Sequence, residues 1–160
     1  MRLLITGSFI VAFLLSTFPI HVKWHWLRPE FVALMVIYWS IYTPENFGIF
    51  TAWCLGLLQD IVEFGLLGQN ALVLAIIAYL CQLSSRRILH YTIWQQAGCV
   101  CLLLIIYLSF DHWIAGIMAY EGVKTPFFLW SALITAFIWP LIVFLGEKLV
   151  NQSTPYKNRD

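Results

Sequence analysis

The sequence has 160 residues, of which 61% are hydrophobic and 11% are charged, and its formal net charge is +1. Soluble domains carry roughly 25% charged and about 45–50% apolar residues, so this composition excludes an ordinary soluble fold. It also excludes a disordered chain, a basic nucleic-acid-binding protein and a disulfide-rich scaffold, which need more charge or more cysteine. A small, single-domain polytopic membrane protein fits these values.

Six apolar segments predict an all-α integral membrane bundle over residues 1–150, followed by a polar cytoplasmic tail over 151–160. Their continuous apolar character argues against barrel strands, which alternate. The first segment has a run of about 18 apolar residues without a cleavage site, so an uncleaved span is favoured over a signal peptide. The second is short and could instead be re-entrant or tilted. The predicted spans are 3–20, 26–42, 47–64, 66–83, 97–118 and 127–146.

The placement of basic residues predicts the orientation of the six spans, because cytoplasmic loops are enriched in Lys and Arg. With the amino terminus inside, six of the nine basic residues are cytoplasmic and three lie outside. This topology puts both termini in the cytoplasm. The cytoplasmic set is Arg2, Arg86, Arg87, Lys148, Lys157 and Arg159, and the outer set is Lys23, Arg28 and Lys124.

Asp60 is the acidic residue least expected in an apolar segment. Burial of an acidic residue at a helix centre costs about 2.5–3.5 kcal/mol on the insertion scale. Gly48, Ala52, Gly56 and Asp60 recur every four residues, which places small side chains on one helix face and allows another helix to approach closely. Two interpretations stay open: an internal polar contact, or a hydrated carboxylate near the outer membrane surface.

The remaining polar residues give weaker signals. Asp111 lies beside His112 in the fifth segment, where an inward contact and a position at the outer rim are equally compatible. Together with Asp60 these two residues could form a proton relay, although their helix faces are not determined. His21 and His25 have i, i+4 spacing but no further ligands nearby, which favours an interfacial position over a zinc site. We predict no catalytic, metal or cofactor site, and interpret four residues as apolar packing side chains: Cys54, Cys81, Cys99 and Cys101.

Several short motifs follow one another along nearly the whole chain. They are RPEF at 28–31, GLLQDI at 56–61, LGQNAL at 67–72, AYL at 78–80, WQQ at 94–96 and WP at 139–140. In this order, and with an aspartate at 111, they resemble the MreD family of bacterial rod shape-determining membrane proteins. The motif positions that carry the resemblance are Arg28, Pro29, Gly56, Asp60, Gly68 and Trp139.

The resemblance implies a non-enzymatic scaffold of the cell-wall elongation complex in the bacterial inner membrane, which helps to maintain rod shape and to organise peptidoglycan synthesis. It implies direct binding of MreC, contact with the MreB filament and the RodA–penicillin-binding protein synthase through the complex, and no nucleic-acid partner. It leaves open whether the protein forms a homodimer within the complex. The implied fold resembles the six-helix substrate-binding component of energy-coupling-factor vitamin transporters. The partner or helix-packing set is Gly48, Ala52, Gly56, Asp60, Gly68, Asp111 and Trp139, and Arg28 with Pro29 forms a structural motif.

Two other functions stay open from the sequence. One is a small-molecule or lipid-binding component of a membrane transporter, which the implied fold and the Trp and Asp residues within the apolar segments suggest. The other is a proton-coupled carrier that uses Asp60. A bundle interior filled by side chains would argue against the first, and an Asp60→Asn variant with unchanged uptake would argue against the second.

Overall fold

The computed structural model describes residues 2–17, 29–63, 66–117 and 128–153. All regular structure in these ranges is α-helical, which confirms the predicted all-α class. The helices are α1 (Arg2–Thr17), α2 (Phe31–Tyr42), α3 (Ile49–Val62), α4 (Gln69–Ile88), α5 (Ile93–Ile117) and α6 (Phe128–Ser153).

Helix α2 forms the centre of the bundle. It has 12 residues, and nine of them, from Val32 to Ile41 except Met35, are buried. It contacts α1, α4, α5 and α6, so neighbouring helices cover it on several sides. Such a helix needs no polar face, which explains why its sequence is apolar in every direction.

The bundle interior is filled by large side chains from four helices. The fully buried residues of greatest volume include Leu34 and Ile37 of α2, Leu74 of α4, Leu104 of α5 and Trp139 of α6. These side chains belong to one continuous hydrophobic cluster. The centre of the described bundle is therefore a packed core.

Helix α3 lies at the edge of the bundle and packs chiefly against α4. Its buried residues are the small or polar ones, Ala52, Gly56, Gln59 and Asp60. Its large apolar side chains point outward: Phe50 is 74% exposed and Ile61 is 60% exposed. A helix with its polar face inside and its apolar face outside is suited to lipid.

The helix ends differ from the predicted spans at several places. Helix α4 continues to Ile88, through Arg86 and Arg87, and α6 continues past Gly146 to Ser153. Helix α5 begins four residues before the predicted span, at Ile93. Thr92 and Gln95 explain this start, because the Gln95 side chain accepts a hydrogen bond from the Thr92 backbone N–H at 3.1 Å, as in a capping box.

Within the part of the chain that the structure describes, three helices are long and apolar enough to cross a membrane, over Gln69–Ile88, Ile93–Phe110 and Leu129–Gly146. Three further apolar helices are shorter, over Leu3–Ser16, Phe31–Tyr42 and Ile49–Val62. Many large apolar side chains face outward, among them Phe137 and Trp94. The membrane class is supported, while six crossings, the two cytoplasmic termini and the tail over 151–160 stay predictions.

Candidate functional site

Asp60 caps the helix that follows it. It lies near the end of α3 and is 1% exposed. Its Oδ2 accepts a hydrogen bond from the backbone N–H of Gly68 at 2.7 Å, and its Oδ1 accepts one from the N–H of Asn70 at 3.0 Å. Both donors lie at the start of α4, where N–H groups have no partner in their own helix. The helix macrodipole also favours a negative charge at this end.

These two hydrogen bonds account for the presence of an acidic residue among apolar helices. A hydrogen bond to a charged group contributes about 1.5–3 kcal/mol, so two of them offset an insertion cost of roughly 2.5–3.5 kcal/mol. Gly68 makes the geometry accessible because its φ of +101° lies in the left-handed region, where glycine is favoured. The tight turn brings the start of α4 back over Asp60.

A ring of side-chain hydrogen bonds lies beside this cap. Gln59 Nε2 donates to Glu63 Oε1 at 3.2 Å and to the Tyr107 hydroxyl at 3.3 Å. The Tyr107 hydroxyl donates to Asn70 Oδ1 at 2.8 Å, and Asn70 Nδ2 donates to Glu63 Oε2 at 3.5 Å. Three helices, α3, α4 and α5, are thereby joined at one end of the bundle. We call this end, with Asp60, Gln59, Asn70 and Tyr107, the capped end.

Close helix contact allows the capped end to form. A Cβ atom added at Gly56 would overlap the backbone of Ala71, with its nitrogen 2.5 Å away. Ala52, one turn earlier, is fully buried. Gly48 is different, because it is exposed and has no atom within 4 Å of an added Cβ. The close approach therefore involves Ala52, Gly56 and Asp60 of α3. The helix that packs against these residues is α4 of the same chain.

A second polar group lies at the opposite end of α4. Trp139 is fully buried, and its Nε1 donates to Gln96 Oε1 at 3.4 Å. The Tyr42 hydroxyl donates to the same oxygen at 3.4 Å. Gln96 Nε2 donates to the Tyr91 carbonyl oxygen at 3.1 Å. Gln96 thus connects α2, α5 and α6 to the turn between α4 and α5.

The other predicted site residues are distributed as follows. Pro29 comes directly before Glu30, whose backbone N–H donates to the Thr135 hydroxyl of α6 at 3.2 Å. Arg28 lies outside the described residues, as do His21 and His25. Asp111 and His112 lie in α5, but their side chains are outside the description, so the proton relay stays an untested alternative. Among the described residues no three potential metal ligands lie together.

Sequence reasoning did not assign roles to Gln59, Asn70, Tyr107 and Gln96. Amides within apolar helices are costly without hydrogen-bond partners, so their presence alone was a usable signal. Gln59 and Glu63 also have the i, i+4 spacing at which helical side chains meet. Pairing Gln59 with Tyr107, which is 48 residues away, required the tertiary structure.

The arrangement connects helices through hydrogen bonds. At the capped end both Asp60 oxygens accept backbone N–H groups, and the Asn70 amide bonds to Tyr107 and Glu63. One buried acceptor, Gln59 Oε1, has no hydrogen-bond partner. The other hydrogen bonds of the capped end join α3, α4 and α5, and buried polar networks of this kind rigidify a bundle and specify one packing arrangement.

Two comparisons with known proteins agree. The sequence profile of the family described as rod shape-determining protein MreD matches residues 1–149. The chain is similar to the rod shape-determining protein MreD of Haemophilus influenzae (strain ATCC 51907 / DSM 11121 / KW20 / Rd), with 27% identity over 149 residues. That alignment covers 91% of this chain and 89% of the relative.

No solved structure matches this chain. The similarity to the substrate-binding components of energy-coupling-factor transporters therefore stays an expectation from the family resemblance.

Proposed function

Because this chain belongs to the MreD family of rod shape-determining proteins, we propose that it is a non-enzymatic scaffold of the cell-wall elongation complex. In this proposal it binds MreC directly within the inner membrane and on the periplasmic side. It meets the MreB filament and the RodA–penicillin-binding protein synthase through the complex. Both termini are cytoplasmic, and the complex maintains rod shape by organising peptidoglycan synthesis.

The observation that carries this proposal is the family match over residues 1–149, which spans every described helix except the last residues of α6. The geometry adds support from a different direction. The buried polar side chains at the capped end and around Gln96 bond to other groups of the same bundle. Polar groups used in this way stabilise a rigid surface, which is what a scaffold presents to its partners.

The outward face of α3 is the surface that we assign to MreC. Helix α2 is enclosed and cannot offer a lateral face, whereas α3 packs chiefly against α4 and has its other side free of the described helices. The rings of Phe50 and Trp53 are stacked, with their centroids 5.9 Å apart, and both side chains are exposed. The small residues of α3 already contact α4, so a partner helix would meet this aromatic face.

The test compares two phenylalanines with nearly equal exposure. Phe50 on α3 is 74% exposed and Phe137 on α6 is 75% exposed, so neither Phe50→Ala nor Phe137→Ala creates a cavity. We expect Phe50→Ala to lower recovery of MreC from detergent extracts at least severalfold, while Phe137→Ala leaves it unchanged. Equal recovery with both variants would contradict the assignment to α3. Loss of self-association with Phe50→Ala, at constant MreC recovery, would identify the face as a homodimer contact instead.

The rod-shape function has its own test. In cells depleted of the native protein, expression of this chain should restore rods, and pull-downs should recover MreC. Rod-shaped cells after deletion, together with pull-downs that lack MreC, would end the scaffold proposal. Cell width measured by microscopy gives a graded readout.

The transporter alternative has less support from the described residues. A substrate-binding component needs a cavity, and ligand sites normally enclose most of a small molecule. The centre of this bundle instead holds fully buried Trp139, Leu34 and Leu104. We therefore keep the scaffold as the proposed function.

A further inference from the structure

An open groove of about 440 Å³ runs along the outer side of α5. It is lined by Tyr91, Gln95, Gly98, Cys99 and Leu102. The last four have i, i+3, i+4 and i+7 spacing, so they share one helix face, and Tyr91 lies just before the helix. This groove is distinct from the capped end, because Tyr91 follows the end of α4 and Asp60 contacts its start.

The chemistry of the groove changes along its length. Tyr91 and Gln95 are polar and lie at the helix start, whereas Leu102 is apolar and 59% exposed. Gln95 Oε1 accepts a hydrogen bond from the Thr92 backbone N–H, and the Gln95 side chain is exposed. Seven residues of helix separate Gln95 from Leu102, a rise of about 10 Å. A groove with a polar end and an apolar end about 10 Å apart along the helix matches the head group and acyl chain of a phospholipid.

Two arginines come shortly before the polar end of the groove in the chain. Arg86 and Arg87 are exposed in the last turn of α4, and Tyr91 follows within five residues. The turn between them is compact: the His90 N–H bonds to the Arg87 carbonyl at 3.1 Å, and the Tyr91 N–H bonds to the Ile88 carbonyl at 3.0 Å. The side chain of buried Gln96 also donates a hydrogen bond to the Tyr91 carbonyl oxygen. The two cations are thus tied by short backbone connections to the polar end of the groove.

We propose that this groove binds one anionic phospholipid, with its phosphate at Arg86 and Arg87 and an acyl chain over Gly98 and Leu102. Basic side chains beside a groove between or along membrane helices favour anionic head groups. Trp94, which is 72% exposed on the same turn of α5, is an aromatic residue of the type that sits at head-group depth. The bound lipid would connect the α4–α5 turn to the membrane surface independently of any protein partner.

Gly98 provides a clean blocking variant. No atom lies within 4 Å of a Cβ added there, so Gly98→Leu fills the groove without a clash. Leu is also a better helix former than Gly, so the substitution does not weaken α5. Gly7 of α1 has equally open surroundings and supplies the matched control, Gly7→Leu.

The experiment uses the full chain in detergent, with added dioleoyl-phosphatidylglycerol or dioleoyl-phosphatidylcholine, and counts retained lipids by native mass spectrometry. We expect one tightly retained phosphatidylglycerol, lost with Gly98→Leu and kept with Gly7→Leu. Arg86→Gln and Arg87→Gln should each lower the preference for phosphatidylglycerol roughly fivefold, the attraction of one cation near an anionic membrane surface. Lys148→Gln, on α6 and outside the groove lining, should change it less.

Three results would overturn the proposal. They are unchanged retention with Gly98→Leu, equal retention of both lipids by the unmodified chain, and a preference that survives loss of both arginines. If Gly98→Leu lowered MreC recovery at constant lipid binding, the groove would be a protein contact and the lipid site would be wrong. The scaffold function would survive each of these results, because its test depends on α3 and on cell shape.

Discussion

Asp60 shows how one side chain can connect two helices. Its oxygens accept the N–H groups of Gly68 and Asn70, and the neighbouring Gln69 N–H bonds to the Leu66 carbonyl. Three of the N–H groups at the start of α4 are therefore satisfied before the helix ladder begins. Glu63, which directly follows the last residue of α3, is exposed and accepts hydrogen bonds from side-chain amides instead.

This difference predicts unequal effects of two leucine substitutions. Asp60→Leu leaves two N–H groups without acceptors, a part-buried one at Gly68 and a buried one at Asn70, which should lower the free energy of unfolding by roughly 2–5 kcal/mol. Glu63→Leu removes an exposed acceptor and should cost less. Unfolding in mixed micelles measures the stability, and we expect MreC recovery to fall more with Asp60→Leu. Equal effects of the two variants, or none, would show that the cap does not stabilise the bundle.

At the scale of the element, the contact between α3 and α4 depends on the absence of a side chain at Gly56. The backbone of Ala71 occupies the space that a Cβ would need, and backbone cannot move away as a flexible side chain can. The same approach places Asp60, one turn further along, within reach of the α4 start. Gly56 and Asp60 are therefore expected to act as a unit.

Gly56→Ala tests this contact against Gly7→Ala. In an open helix position Gly→Ala stabilises by roughly 0.5–1 kcal/mol, so Gly7→Ala should be neutral or stabilising. Gly56→Ala should instead destabilise by about 1–3 kcal/mol, because the helices must separate. Unfolding in mixed micelles again provides the measurement. A Gly56→Ala variant as stable as Gly7→Ala would mean that α3 and α4 are further apart than described.

At the scale of the whole molecule, the short helices decide how the chain meets the membrane. Helix α3 has 14 residues and a length of about 21 Å, whereas the hydrocarbon core is about 30 Å thick. Helix α2 is also shorter than the hydrocarbon core, but its neighbours enclose it, so the difference in length does not expose it to lipid. Helix α3 has its large apolar side chains on the outside. A crossing at α3 therefore requires local thinning of the bilayer or a partner along its outer face.

Labelling of single cysteines tests the six-span prediction. In a variant with all four native cysteines replaced by alanine, we place one cysteine at Glu45 or at Leu67, both exposed and on opposite sides of α3. A membrane-impermeant maleimide should label Leu67→Cys in intact cells and Glu45→Cys only after permeabilisation. Labelling of both from the same side would mean that α3 does not cross, and the six-span topology would be wrong.

The sequence by itself determined the membrane class, the all-α class and the family, because composition, long apolar runs and motif order are properties of the chain alone. It also singled out Asp60, Gly56 and Trp139 as unusual. It did not identify their partners, and it included Gly48, which lies in open space. Helix periodicity defines faces, but it does not say which faces meet.

Only the tertiary structure decided that the small residues of α3 contact α4 of the same chain. It also decided that Gln59 meets Tyr107, and that Gln96 joins Trp139 and Tyr42. These pairs are 48, 43 and 54 residues apart along the chain. Contacts between residues so far apart in the chain depend on how the helices pack together. The apolar faces of these helices are compatible with many packing arrangements. Hydrogen bonds between the buried polar residues select one of them, and the sequence does not show which residues pair.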